Sequence, residues 1–163
     1  MKRLLLLRHA KAVPHGTAND FDRVLADRGR RDMGAIAGYL SVDPPDLALV
    51  SPAARTRETW ALCNLPHVPV RYEEGIYEAG LPALLRIVQA IPGKVRRAIL
   101  VGHNPGLEDF ASSLVAPESA LGHLPTAGLA LADWDTDDWR AVSPHEGRLA
   151  GFVSPATLGE ATR

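Results

Sequence analysis

The chain has 163 residues, and its 18 Lys and Arg against 19 Asp and Glu give a formal net charge of -1. That balance gives no general reason to expect nucleic acid or an anionic membrane as a partner. The length predicts a single domain, 1–163, able to bury roughly two-thirds of its unfolded surface.

The only cysteine, Cys63, excludes an internal disulfide and a thiolate metal site, so a reducing compartment is expected. Residues 2–8 read as a fully buried strand, with an apolar run at 4–7. Met1-Lys2-Arg3 before four leucines imitates a secretion signal, but Arg8 stops the run short of the roughly 7–15 apolar residues such a signal needs. No stretch approaches the roughly 18 apolar residues of a membrane span, so a soluble, cytoplasmic protein is expected. Residues 13–26, with Pro14, Gly16, Asn19 and Asp20, read as a loop. Asp27 is the expected cap of a helix whose apolar residues Met33, Ile36, Ala37 and Leu40 recur at i, i+3, i+4 and i+7. Asp43-Pro44-Pro45-Asp46 ends it, and residues 47–50 form a second buried strand.

Ser51 as cap with Pro52 at the first helical position opens a helix to about residue 64. A short strand near 68–72 and a helix over about 81–91 follow, the latter closed by Pro92-Gly93. Residues 98–101 are the third buried strand. Asn104 as cap and Pro105 at the first position start a helix to about residue 115, and 116–126 is a loop. Residues 129–134 and 139–142 read as two further strands joined by a turn at 135–138, while the tail after Ser143 gives no clear pattern. Strands alternating with helices predict an α/β fold of three layers, with a mainly parallel central sheet covered by helices on both faces.

Three of the buried strands end on unusual residues. Arg8-His9-Ala10 follows the first, Ser51-Pro52-Ala53-Ala54-Arg55 the second, and Gly102-His103-Asn104-Pro105 the third. The carboxyl ends of parallel strands open onto the crevice where α/β proteins bind ligands. Neutral His is a competent nucleophile toward phosphorus, and Arg offers a planar, permanently charged fork for phosphate oxygens. Helix N-termini after Ser51 and His103 would add backbone N–H groups to an anion site. Singly, each residue has an ordinary explanation: a surface Arg-His pair, an exposed helix Arg, a core His bonded to backbone. Their joint placement at equivalent junctions favours a phosphoryl pocket. His9 and His103 lack a carboxylate at metal-binding helical spacing, and no phosphate-binding glycine loop is present. No metal and no organic cofactor are therefore expected. Glu108 and Asp109, on the helix after His103, read as solvent-facing.

Leu6-Leu7-Arg8-His9-Ala10-Lys11-Ala12, Ser51 to Thr59 (SPAARTRET) and Val101-Gly-His103-Asn-Pro-Gly together resemble the histidine phosphatase superfamily, in its short SixA-type phosphohistidine phosphatase form. The resemblance runs from residue 2 to about 135. It implies a phosphoglycerate mutase-like fold, with His9 as the phosphorylated nucleophile and Arg8, Arg55 and His103 holding the phosphoryl oxygens. Asn104 and Lys11 are further candidates for substrate contact. Ala10 stands where the superfamily usually has Gly, a change the short members commonly share.

Members acting on phosphomonoesters carry a Glu after the second strand, and here Glu73, Glu74 and Glu78 occupy that region. Glu78 is the preferred proton donor, with a solvated charge at a helix start as the equal alternative. Thr126 is a candidate for the pocket rim. His15, His67, His123 and His145 read as surface residues, and Trp60, Trp134 and Trp139 as packing. The expected activity is hydrolysis of a phosphoryl group through a phosphohistidine intermediate, on a protein histidine or a small phosphorylated metabolite. A phosphomonoesterase or mutase-like transferase is the first alternative, and a silent phosphate-binding module the second.

Overall fold

The computed structural model describes residues 1–16 and 18–161. Six strands form one sheet: β1 (Lys2–Arg8), β2 (Leu47–Val50), β3 (Val70–Tyr72), β4 (Arg97–Gly102), β5 (Leu129–Trp134) and β6 (Arg148–Val153). Their spatial order is β3-β2-β4-β1-β5-β6. The pairs β1–β4, β2–β4 and β2–β3 are parallel, while β5 runs antiparallel to both its neighbours, β1 and β6, so that β6 at the edge points the same way as β1. Helices α1 (Asp27–Val42), α2 (Ala54–Leu62), α3 (Leu81–Gln89), α4 (Gly106–Ser112) and α5 (Pro155–Ala161) complete the fold.

The four consecutive leucines of β1 follow from its central place. A strand buried on both faces needs apolar residues at every position rather than at alternate ones. Leu4 and Leu6 face a core shared with Leu84 and Val88 of α3 and Leu107 and Phe110 of α4. Leu5 and Leu7 face Met33, Ile36 and Leu40 of α1 and Trp60 of α2. The three-layer architecture with a mainly parallel sheet is thus present.

Several local expectations are corrected. Asp27 is the first residue of α1 rather than its cap, which is Ala26, and its carboxylate accepts from Arg30. Ser51 and Asn104 do not cap α2 and α4; those helices start later, from Ala53 and Pro105. Both side chains have distant partners instead. The helix α4 ends at Ser112, and Val115 joins Arg148 in a bridge beside β6. Residues 139–142 are not a strand. Asp138 accepts from the Arg140 backbone N–H, turning Trp139–Ala141 into a 3-10 turn, and the Trp139 indole donates to the Val95 carbonyl. The sixth strand is Arg148–Val153, in the tail whose pattern was silent. Trp60, Trp134 and Trp139 are all buried.

Two glycines set close approaches that shape the site. A Cβ on Gly29 would lie 2.2 Å from the Lys11 carbonyl oxygen, so Gly29 lets α1 press against the segment leaving β1. A Cβ on Gly106 would lie 2.2 Å from the Ala79 carbonyl oxygen, so α4 abuts the segment carrying Tyr77 and Glu78. Among the described residues, no helix is long and apolar enough to cross a membrane.

Candidate active site

The register of the sheet brings the predicted residues together. Arg8 pairs with Gly102 across β1 and β4, which places His9 beside His103, their rings 5.5 Å apart. The Ser51 N–H donates to the Val101 carbonyl at 3.0 Å, bringing the end of β2 alongside. Backbone bonds fix His9 from several sides: its N–H donates to the Gly102 carbonyl, its carbonyl accepts from Ala127, and the Ala10 N–H donates to the Thr59 hydroxyl.

The tautomer of His9 follows from its partner. Its Nδ1 lies 2.7 Å from the Ala10 carbonyl, which can only accept, so Nδ1 carries the proton and Nε2 keeps its lone pair. Burial, reinforced by the Arg55 and Arg8 charges, pushes the His9 pKa down to about 4 against the opposing Ala10 bond. The same forces, burial first and then Arg55, bring His103 down to about 3. Both rings are neutral at neutral pH. His103 Nε2 lies 2.7 Å from the Ser51 hydroxyl. When that hydroxyl donates, the imidazole proton sits on Nδ1.

Arg8, His9, Arg55, His103, Asn104, Lys11 and Thr126 line one cavity of about 380 Å³. Among the described residues, five buried side-chain nitrogen or oxygen atoms lack a hydrogen-bond partner, and four belong to residues of this cavity. Three of the four are donors or can be: Arg8 Nε, Arg55 Nε and His103 Nδ1. Buried donors left unpaired are costly and rare in folded proteins. Their gathering on one cavity is what an anion site requires.

Arg8 donates through Nη1 to the Leu124 carbonyl at 3.0 Å, and the Asn104 amide donates to the same oxygen at 2.9 Å. Glu108 is half-buried rather than solvent-facing. Its carboxylate accepts from the Leu124 N–H and contacts His123, fixing the loop that Arg8 leans on. Of the three candidate glutamates, Glu78 does not line the main cavity. It borders an adjoining one of about 310 Å³, which shares Arg55, His103 and Asn104 with the first. Glu78 is exposed and has a positive φ of 59°. Glu73 lines a separate depression against α3, and Glu74 is exposed.

Sequence reasoning missed four residues here. Asp20 and Arg23 enter from the loop at 13–26, Ser51 supports His103, and Tyr77 lies edge-on to the His103 ring at 5.5 Å. The one available signal was Ser51, which ends a buried strand just as His9 and His103 do. Of the expected surface histidines, His15 and His123 are exposed, with His15 at 3.6 Å from Asp20. Among the described residues, no group of three or more His, Cys, Asp or Glu side chains is placed to hold a metal ion.

The sequence profile of the histidine phosphatase superfamily (branch 1) matches residues 4–84. The chain is 30% identical to a structure from Agrobacterium tumefaciens assigned to phosphohistidine phosphatase SixA, with 94% of this chain and 99% of that one covered and a TM-score of 0.78. It belongs to the histidine phosphatase superfamily. Within that superfamily it is of the SixA type, and by family it is a phosphatase. A second SixA assignment, from Nakamurella multipartitia, superimposes with a TM-score of 0.84 at 27% identity, covering 94% of this chain and 96% of that one. An uncharacterised protein of Mycobacterium tuberculosis is 33% identical over 160 residues, 91% of this chain and 99% of its own length. The superfamily's phosphoglycerate mutase-like fold is the one described above.

Proposed function

We propose that this histidine phosphatase hydrolyses phosphohistidine on proteins, through a covalent intermediate on His9, and that a single domain spanning 1–163 carries the whole activity. The observation that carries this reading is that Arg8 Nε, Arg55 Nε and His103 Nδ1 are buried without a partner, on residues that line one cavity with His9, whose Nε2 is unprotonated. In the first step His9 Nε2 attacks phosphorus in line, forming an N–P bond as the bond to the leaving group breaks. The two guanidiniums and His103 offset charge on the equatorial oxygens. The leaving imidazole takes a proton and departs neutral. In the second step water attacks phospho-His9, releasing inorganic phosphate and restoring the free imidazole. A cytoplasmic location fits the buried free thiol of Cys63.

The pH dependence has a definite sign. His9 must be neutral to attack, and its lowered pKa keeps it so down to about 4. With the substrate's own phosphoryl ionisation at about 6 divided out, the acid limb that the free enzyme sets on kcat/KM is expected near pH 4, with activity present above it and lost below. A limb near 6.5, the ordinary imidazole value, would contradict the buried, Arg-flanked nucleophile.

A second reading, a phosphomonoesterase for small metabolites, draws support from Glu78 on the cavity adjoining His103. An alkyl ester expels an alkoxide, for which proton donation is worth roughly 10²–10⁴-fold. An imidazole leaving group needs far less help. A panel of a phosphohistidine peptide against alkyl and aryl phosphates separates the two readings. Efficient phosphohistidine hydrolysis, hardly changed by Glu78→Gln, and poor alkyl-ester turnover are expected. Rapid alkyl-ester turnover that collapses in Glu78→Gln would establish the phosphomonoesterase instead.

A further inference from the structure

Asp20 holds Arg55 twice. Its backbone carbonyl accepts from Nη1 at 2.7 Å, and its carboxylate Oδ2 accepts from Nη2 at 3.2 Å. Those two nitrogens form the end of the guanidinium fork. The side of the fork, Nε with the remaining hydrogen of Nη2, is not engaged by Asp20, and Nε is buried without a partner.

Asp20 is itself fixed. The Tyr77 hydroxyl donates to Oδ2 at 2.5 Å and Arg23 Nε donates to Oδ1 at 3.0 Å. Arg23, buried, also donates through Nη1 to the Val13 carbonyl at 2.7 Å, tying the two arms of the loop together. His15 approaches Oδ1 at 3.6 Å but is 83% exposed, so it adds little. An arginine has several rotatable bonds, and holding its fork in one orientation before substrate arrives lowers the ordering cost of binding.

We propose that Asp20 is a positioning residue that clamps the end of the Arg55 guanidinium, so that the Nε–Nη2 edge is presented to the phosphoryl group. The proposal rests on the reading of Arg55 as a phosphoryl ligand. The competing role for the same contact is a latch, in which the Asp20 carboxylate occupies Arg55 in place of substrate and must leave when phosphate binds. The geometry favours the clamp. Asp20 takes the Nη1–Nη2 end and leaves Nε without a partner, and Tyr77 and Arg23 hold Asp20 where it is. The two roles differ in sign, since loss of a clamp weakens anion binding and loss of a latch strengthens it.

The test is a double-mutant cycle read by kcat, KM and the inhibition constant of inorganic phosphate. Asp20→Ala is expected to lower kcat/KM about tenfold or more, the effect of one hydrogen bond to a charged group, and to weaken phosphate inhibition. Asp20→Asn, which keeps an acceptor oxygen, is expected to restore part of both. In an Arg55→Ala background Asp20→Ala should have little further effect, because residues acting through one group are not additive. Full additivity of the two changes, or tighter phosphate binding in Asp20→Ala, would overturn the clamp. Full activity in Arg55→Ala alone would be a different failure, that of the site reading beneath it. If Asp20→Ala does not fold, Tyr77→Phe releases one of the two holds on Asp20 and is read in the same cycle.

Discussion

Replacing His9 by alanine is expected to reduce phosphoryl turnover by about 10⁴-fold or more, the scale seen when a covalent nucleophile is removed. The expectation comes from geometry: a buried imidazole with Nδ1 committed to the Ala10 carbonyl leaves only Nε2 to react. Rapid quenching of the wild-type enzyme during turnover should trap phosphate that survives base and is released by acid, as a phosphoramidate does. Peptide mapping should place it on His9. The variant should show no such adduct while still binding inorganic phosphate, since Arg8, Arg55 and His103 remain. Wild-type rates in His9→Ala would end the covalent mechanism, and a trapped adduct on any other residue would relocate it.

Loss of the Arg55 guanidinium is the second large effect. Arg55→Ala should cost about 3–4 kcal/mol of transition-state stabilisation, or 10²–10³-fold in kcat/KM, by comparison with other preorganised donors. Arg55→Lys should recover little, because an ammonium is a point charge that cannot meet Asp20 with one edge and a phosphoryl group with the other. The fold should survive either change, since Asp20 keeps Arg23 and Tyr77 as partners. Phosphate inhibition measured on thermally intact variants checks the claim. Near-wild-type kinetics in Arg55→Lys would mean that charge alone, not the shape of the fork, is what the site uses.

The centre of this molecule was legible because burial writes itself into sequence. Four leucines in a row announce a strand covered on both faces, and His9, Ser51 and His103 each stand just past such a run. The rim was not legible. Asp20 lies in a segment whose composition says only loop, and its partners Arg55 and Tyr77 are 35 and 57 residues away. No local pattern encodes a contact of that kind. The caps failed for a related reason. Ser51 and Asn104 have the right chemistry to cap helices, but His103 and Leu124 offered them tertiary partners, and the helices began later. Residues 139–142 misled because three apolar residues in a run of four suit a strand as well as a turn. The Asp138 contact with the Arg140 N–H decided for the turn. β6 lies at the sheet edge and is only partly buried over Gly151 to Val153, so its alternation was too weak to register.

The placement of β1 has a consequence for how the protein is made. β1 is synthesised before the other strands of the sheet, yet its neighbours are β4 and β5, whose residues span 97–102 and 129–134. At roughly 5–20 residues per second, the most apolar segment of the chain waits on the order of ten seconds for both edges to be matched. During that interval Leu4 to Leu7 are a fully apolar segment without its sheet partners, and an unpaired apolar strand is the kind that templates aggregation. Pairings between such distant segments are also intrinsically slow to form. His9 sits at the end of that strand, and His103 arrives only with β4. On the mechanism proposed above, activity therefore reports completed folding of the sheet, and chains truncated before residue 129 are expected to be inactive and dependent on chaperones.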